Sequence, residues 1–419
     1  MTDDRTDAVS VSSPDRERPV LAVDIGTTFV EVALVESRRG PVVAHARVIN
    51  KQMFFGTNVL ARLSAALDGQ TVELQEAVHL SILDAISQLG CGSIDEVLAL
   101  CHKIVIAANS VMAPLFCAVV PRGLAQAPFV PCQSLCLSSG VLLERFCQAQ
   151  GRTVGCSDIF DNYVYHDGSI GIEILSPVAG FVGGDARGAL LATGLDRVPD
   201  PSDRLRGNHP REDAPAYLMV DLGTNAEIAL RRNTDLFVTS VPAGPTFEGM
   251  FGNGQTDWRG TDVIEHLAKA RAAGAIDTTG RVVDTCALAP FAQEDVRDFQ
   301  LAKAALRAGI DVLLQKARCR PDEVAGFMLV GAFGARLDAQ AARVVGLFPS
   351  ELPQPAEFPH IYTIRGRQID LSTLNNAALI GGILVALGKT PVLAGTTTHV
   401  ELATDAGFSH ALLDALAFE

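Results

Sequence analysis

Two short stretches of the chain put the same reactive side chains at the same spacing. LAVDIGTTFVEVAL begins at Leu21 and LMVDLGTNAEIAL at Leu218. In each, an apolar run ends in an aspartate, a Gly-Thr turn follows, and a second apolar run begins. Such a turn sets a carboxylate at the end of a buried strand and then offers backbone N–H groups and a hydroxyl. Glycine lets the main chain approach an anion, and successive amides form a small concavity that suits phosphate. A carboxylate cannot itself bind phosphate, so its task in such a site is to hold a cation or orient a water. One Asp-x-Gly-Thr turn is common in ordinary hairpins. Two of them facing each other, with Asp24 and Asp221 converging on one point, have the geometry that clamps the β- and γ-phosphates of a nucleotide with Mg2+.

A third stretch, LVGAFGARLD from Leu329, reads as a buried strand ending at Gly331 and Gly334. Its plain reading is a tight strand-to-helix turn. Following the two hairpins in this order, it becomes a place where a purine lies on open backbone. PAGPTFEGMFGNG holds Glu248 among glycines and prolines, and FVGGDARG holds Asp185; each is weighed as a site carboxylate against an exposed loop residue.

Elements must position these groups, and the patterns supply them. VLAVDI and FVEVALVE are β-rich runs joined by GTT, so the segment from Pro19 to Val35 reads as a hairpin, with PVVAHARVIN as a third strand. NVLARLSAALDG and ELQEAVHLSILDAISQLG carry helical periodicity, and KIVIAANSVMAPLF is a buried strand running into a helix. The second hairpin is followed by a helix across DVRDFQLAKAALRAGIDVLLQKA and a last helix in STLNNAALIGGILVALG. A chain of 419 residues exceeds the size of a single core. The expected organisation is a disordered tail at 1–19, a first half at 20–195, a Pro- and charge-rich linker at 196–215 and a second half at 216–419. The fold class is α/β, with two related halves, each a mixed sheet flanked by helices.

The net charge of −14 argues against any general affinity for nucleic acid or anionic lipid. The longest apolar run, AALIGGILVAL, falls short of the roughly 20 residues a membrane span needs, so a cytoplasmic protein is expected. Nine cysteines in apolar contexts suit reduced buried thiols. Cys132, Cys136, Cys147 and Cys156 match neither a zinc nor an iron–sulfur spacing. His79, His102 and His266 sit in or beside apolar segments and read as packed histidines.

The order DIGTT, DLGTNAEI, GAFG, NNAALIGG resembles the phosphate, adenosine and connecting motifs of the superfamily of actin, sugar and acetate kinases and heat-shock chaperone ATPases. Within it, NKQMFFGTNVLARL, GFVGGDARGALLATGL, SVPAGPTFEG, QLAKAALRAGI, VGAFGARLDAQAARVVGLFP and VELATDAGF are similar to the C-terminal ATPase domain of the reductive activators of corrinoid proteins, from Val20 to Phe418. The resemblance implies ribonuclease-H-like, actin-like ATPase halves with a nucleotide cleft between them, and ATP and Mg2+ as ligands. It implies that Asp24 and Asp221 order the metal and its waters and that Gly26, Thr27, Thr28, Gly223, Thr224 and Asn225 hold phosphates. Gly331 and Gly334 would border the adenosine, and Asp24, Asp221 and Glu248 would be the catalytic acids. The departures are Ala108 and Asn375, where the family pattern has glycines, and Ala226, where it has a small flexible residue. Full-length activators carry a [2Fe-2S] ferredoxin-like domain, a linker and a middle domain ahead of the ATPase, whereas this sequence starts almost at the first hairpin. No iron–sulfur cluster is therefore expected in it.

The function so implied is ATP-driven reactivation of a partner corrinoid protein or corrinoid-dependent methyltransferase from Co(II) to Co(I), by a homodimer. A separate ferredoxin or reductase would supply the electrons. Two alternatives stay open: a small-molecule kinase or other ATP-dependent transferase on the same fold, and a nucleotide-sensing protein without turnover.

Overall fold

The computed structural model describes residues 18–37, 40–132, 135–137, 139–151, 160–161, 171–198, 215–223, 225–242, 260–334, 336–364, 366–390 and 393–418. Strands β1 (Val20–Ile25), β2 (Phe29–Val35) and β3 (Val42–Ile49) form the expected antiparallel meander, and β4 (Lys103–Ala108) and β5 (Gly171–Ile174) add parallel strands beside β1, giving the order β3-β2-β1-β4-β5. The second half repeats it. Strands β6 (Ala216–Leu222), β7 (Ala226–Arg232) and β8 (Asp235–Val241) form a meander, and β9 (Val324–Val330) runs parallel to β6. A short strand β10 (Thr396–His399) adds at the opposite edge, beside β8. Strands β5, β8 and β10 were not expected from the sequence.

Both sheets are covered on both faces, which is why their central strands read as unbroken apolar runs. Side chains alternate between faces along a strand. Leu21, Val23 and Ile25 point into an outer core shared with the first half's helices, among them α1 (Thr71–Ser87). Val20 and Ala22 point instead into a central core. On β6, Leu218, Val220 and Leu222 face a second outer core with α3 (Gln293–Lys316), and Met219 faces the central one. The period of two therefore sets Asp24 and Asp221 on the central faces of their sheets.

Two helices fill the central core: α2 (Gly184–Thr193) and α4 (Ala377–Ala386). They pack against each other without room for side chains. A Cβ on Gly381 would lie 2.2 Å from the Gly188 carbonyl oxygen, and one on Gly188 would lie 2.7 Å from that of Ala378. The apolar run from Ala377 is thus a ten-residue buried helix, and among the described residues no helix is long and apolar enough to cross a membrane. Although α4 lies in the second half of the sequence, it packs on β1 and β4 of the first sheet, so the two halves interlock.

Arg18, which the sequence places in the expected tail at 1–19, is held by the first half. Arg18 donates to the carbonyls of Leu100 (3.2 Å) and Cys101 (3.3 Å), to that of Ala99, and to Gln150 Oε1 (2.8 Å). Its fork fits the end of a short helix, Ile94–Leu100, and so fastens the start of β1. Residues 1–17 and most of the expected linker, 199–214, lie outside the described residues. Cys101, Cys117, Cys147 and Cys319 are buried. Cys156 and the Cys136 side chain lie outside the described residues.

Candidate functional site

At the first turn, β1 ends in Asp24 and Ile25, and Gly26 donates its N–H to the Phe29 carbonyl at 2.9 Å. A Cβ on Gly26 would sit 3.0 Å from that same oxygen, so the turn is tight enough to favour glycine. Thr27 and Thr28 occupy its tip; Asn109, at the end of β4, donates from Nδ2 toward Thr27 Oγ1 at 3.4 Å. Asp24 is gripped from the other half. Asn376 caps α4, its Oδ1 accepting from Leu379 N at 2.9 Å, and its Nδ2 donates to Asp24 Oδ2 at 2.7 Å.

At the second turn, Asp221 ends the central-face series of β6, and Gly223 donates to the Asn225 carbonyl at 3.1 Å. Gly331 follows β9 with φ of +82°, in the left-handed region, and a Cβ there would lie 2.4 Å from Asp221 Oδ1. The sequence reading gave this glycine to a purine. In the structure its missing side chain makes room for the Asp221 carboxylate. Gly334 closes the single helical turn Gly331–Gly334. Thr224 and Glu248 lie outside the described residues.

Two acids join Asp24 and Asp221. Asp185 stands in the first turn of α2, its Oδ1 accepting from Ala186 N at 2.7 Å. Glu227 of β7 stands directly opposite Asp221 in the antiparallel register. The four influence one another. Burial raises Asp24 well above the usual carboxylate range against the hydrogen bond from Asn376, and the charges of Asp185, Glu31 and Asp221 add to the rise. Burial, then the Asp185 charge, pushes Asp221 up to about 7. Burial raises Asp185 to about 6. Glu227 is raised well above its ordinary value by burial and by Asp185 and Asp221. Asp24, Asp185 and Asp221 nevertheless keep some exposure.

No lysine, arginine or histidine charge among the described residues lowers Asp185 or Asp221. Carboxylates clustered without a protein counter-charge suit a divalent cation arriving with phosphates. Among the described residues no three His, Cys, Asp or Glu side chains form a metal cage of their own. That fits Mg2+, which uses one or two carboxylates and takes its other ligands from water and phosphate. Asp24 and Asp221 would hold it, through water, and it would supply charge neutralisation to the phosphates.

The packed histidines are as expected. His79 is fully buried, its Nε2 lies 3.0 Å from the Phe116 carbonyl, and burial lowers its pKa to about 4. His102 Nδ1 lies 3.0 Å from the Arg18 carbonyl and His266 Nε2 3.0 Å from that of Leu288.

Two open sheets of one topology, their central faces packed on crossed helices and carrying paired Asp-x-Gly-Thr turns, define the actin-like ATPase fold class. A family model described as the RACo middle region matches residues 20–142. A second, described as the C-terminal domain of RACo, the ASKHA domain, matches 216–256 and 288–419. The chain belongs to this family of reductive activators of corrinoid proteins. The middle-region match thus falls in the first half, at 20–142, where the sequence suggests the C-terminal ATPase domain, and the C-terminal match falls in the second half. The corrinoid activation enzyme RamQ of Eubacterium limosum is 25% identical over 467 aligned residues, covering 95% of this chain and 70% of that protein. A solved structure of a reductive activator for a corrinoid, iron–sulfur protein superposes with a TM-score of 0.71 at 21% identity, over 97% of this chain and 67% of that one.

Proposed function

We propose that this chain binds and hydrolyses Mg·ATP between its two halves and couples the resulting change of arrangement to the reduction of a partner's corrinoid from Co(II) to Co(I). The observation that carries the ATP site is the meeting of acids from both halves, Asp24 and Asp185 with Asp221 and Glu227, at the mouths of two phosphate-type turns. The corrinoid role is supported by family membership and by the activity named for the Eubacterium limosum relative.

The chain's residues have distinct tasks. Gly26, Thr27 and Thr28 of the first Asp-x-Gly-Thr stretch and Gly223, Thr224 and Asn225 of the second bind phosphates through amides and hydroxyls. Asp24 and Asp221 orient the cation and its waters. Asp185, with its pKa drawn toward neutrality, stands as an acceptor for the proton of an attacking water; phosphoryl transfer asks for positioning and charge more than covalent chemistry. ATP bridging both turns favours a closed arrangement over an open one by its differential contacts. Cobalamin and electrons come on partner proteins, the latter from a ferredoxin or reductase.

The test is spectroscopic. Chain, corrinoid protein and a low-potential donor are mixed anaerobically, and the Co(I) absorbance is followed with ATP, with a non-hydrolysable analogue and without nucleotide. Co(I) should accumulate only with ATP. Equal accumulation in all three mixtures removes the coupling from this chain.

A further inference from the structure

We propose that Asn50 and Arg62 are positioning residues that hold the three successive carbonyls of the first turn from behind and thereby aim its amides at the nucleotide's terminal phosphates. The proposal rests on the reading of this turn as a phosphate site.

The segment that follows β3 wraps behind the turn. Asn50, fully buried, donates from Nδ2 to the Gly26 carbonyl at 2.8 Å and from its backbone N–H to that of Thr28 at 2.9 Å. Between them, the Thr27 carbonyl accepts from Nη2 of Arg62, a fully buried side chain on the helix Val59–Leu67. Gln52 joins the two donors: its Oε1 lies 3.4 Å from both Asn50 Nδ2 and Arg62 Nη1, and its own Nε2 is anchored on the Leu74 carbonyl at 2.9 Å. All three carbonyls are thus held by one connected group.

A trans peptide is planar, and its C=O and N–H point in opposite directions. Drawing back the carbonyls of Gly26, Thr27 and Thr28 therefore turns the N–H groups of Thr27, Thr28 and Phe29 to the other side, as an anion-binding run of amides requires. The clamp fixes its own orientation. Asn50 Oδ1 accepts from Gln52 N at 3.0 Å, so a flipped amide would lose that bond and set oxygen against oxygen at Gly26. Arg62 Nε is held by the Gly56 carbonyl at 3.1 Å. Its charge behind the turn also adds to the attraction that a phosphate meets in front, and this attraction is stronger in a poorly hydrated site than in water.

The experiment measures binding of ATP and of AMP, each with Mg2+, by titration calorimetry on the full chain. Wild type, Asn50→Asp, Arg62→Met and Arg62→Lys are compared, with circular dichroism to establish folding. Asn50→Asp keeps the acceptor for Gln52 N but puts a carboxylate oxygen in place of the amide that donates to Gly26 and to Gln52 Oε1. ATP affinity should fall about tenfold or more in Asn50→Asp and Arg62→Met, that of AMP by less than about twofold, and Arg62→Lys should recover part of the loss. A merely structural role would move both nucleotides together. Folded variants that bind ATP like the wild type, or that lose ATP and AMP alike, overturn the assignment. So does failure of both Asn50→Asp and Arg62→Met to fold, because the network is then plain core. A wild type that binds neither nucleotide overturns the reading of the turn itself.

Discussion

The two turns share one strand register and one pair of acids, yet their charges are balanced differently. Asp24 stands opposite Glu31 across β1 and β2, and Asp221 stands opposite Glu227 across β6 and β7. Like charges directly opposed in a ladder are unfavourable. In the first half the neighbouring strand answers them: Arg47 and His45 of β3 lie 3.2 and 3.1 Å from the Glu31 carboxylate, and the Arg47 guanidinium covers the Phe29 ring. In the second half the corresponding neighbour on β8 is Ser240, whose hydroxyl lies 3.3 Å from Glu227. Burial, then the charges of Asp185 and Asp221, hold Glu227 well above its ordinary value against the hydrogen bond from Ser240. A duplicated topology has not duplicated the electrostatics. Among the described residues, Glu31 has the Arg47 guanidinium beside it, and Glu227 has the Ser240 hydroxyl.

The largest expected effect is at the unbalanced half. Asp221→Asn keeps the shape and loses the charge that orients the cation, so steady-state hydrolysis of Mg·ATP should fall at least about 100-fold, with the circular dichroism spectrum unchanged. Retention of half the activity would remove Asp221 from the site.

Next comes the helix crossing on which both halves pack. Gly381→Val places atoms where the Gly188 carbonyl already sits, and denaturant unfolding should show a loss of about 1–3 kcal/mol.

Smaller, and more telling for the comparison, is the response to pH. Asp221 and Asp185 are drawn from 3.8 to about 7 and about 6. Between those values the folded protein holds protons that the unfolded chain has released, so stability must fall as pH rises through that window and level off above it. Thermal unfolding of the nucleotide-free protein should follow this course. Glu227→Gln should raise its stability on the alkaline side, whereas Glu31→Gln should not, because Glu31 is paired with Arg47.

The smallest effect belongs to Glu31 in function. Its ion pairs reach half-exposed partners, His45 and Arg47, and such pairs are worth little. Glu31→Gln should change hydrolysis by less than about threefold in a direct rate comparison.

Much of this was legible in the sequence, for identifiable reasons. An Asp-x-Gly-Thr turn between two β-rich runs marks a hairpin locally, and the period of two then sets which face each aspartate takes. Glu31 and Glu227 were visible as lone acids within apolar strands, a signal that register alone converts into pairs. Asn376 entered the sequence reading only within the NNAALIGG motif; its grip on Asp24 depends on α4 packing against the other sheet, and no local pattern encodes that. Asn50 and Arg62 lie in the family-like phrase NKQMFFGTNVLARL, but their task is not legible there, because their partners are brought together by the wrap of a segment behind a turn. Gly331 is legible as a flexible turn residue, but its closeness to the Asp221 carboxylate is set only by the packing of β9 beside β6. Thr224 and Glu248 lie outside the described residues.

The central claim is that turns from two halves serve one nucleotide, and a double-mutant cycle in Mg·ATP hydrolysis tests it most directly. Asp24→Asn, Asp221→Asn and the double variant are compared under saturating nucleotide. Groups that act as a unit are not additive, so the double variant should lie within about threefold of the worse single one. Losses that multiply would mean that the two aspartates act independently, and the shared cleft would be contradicted.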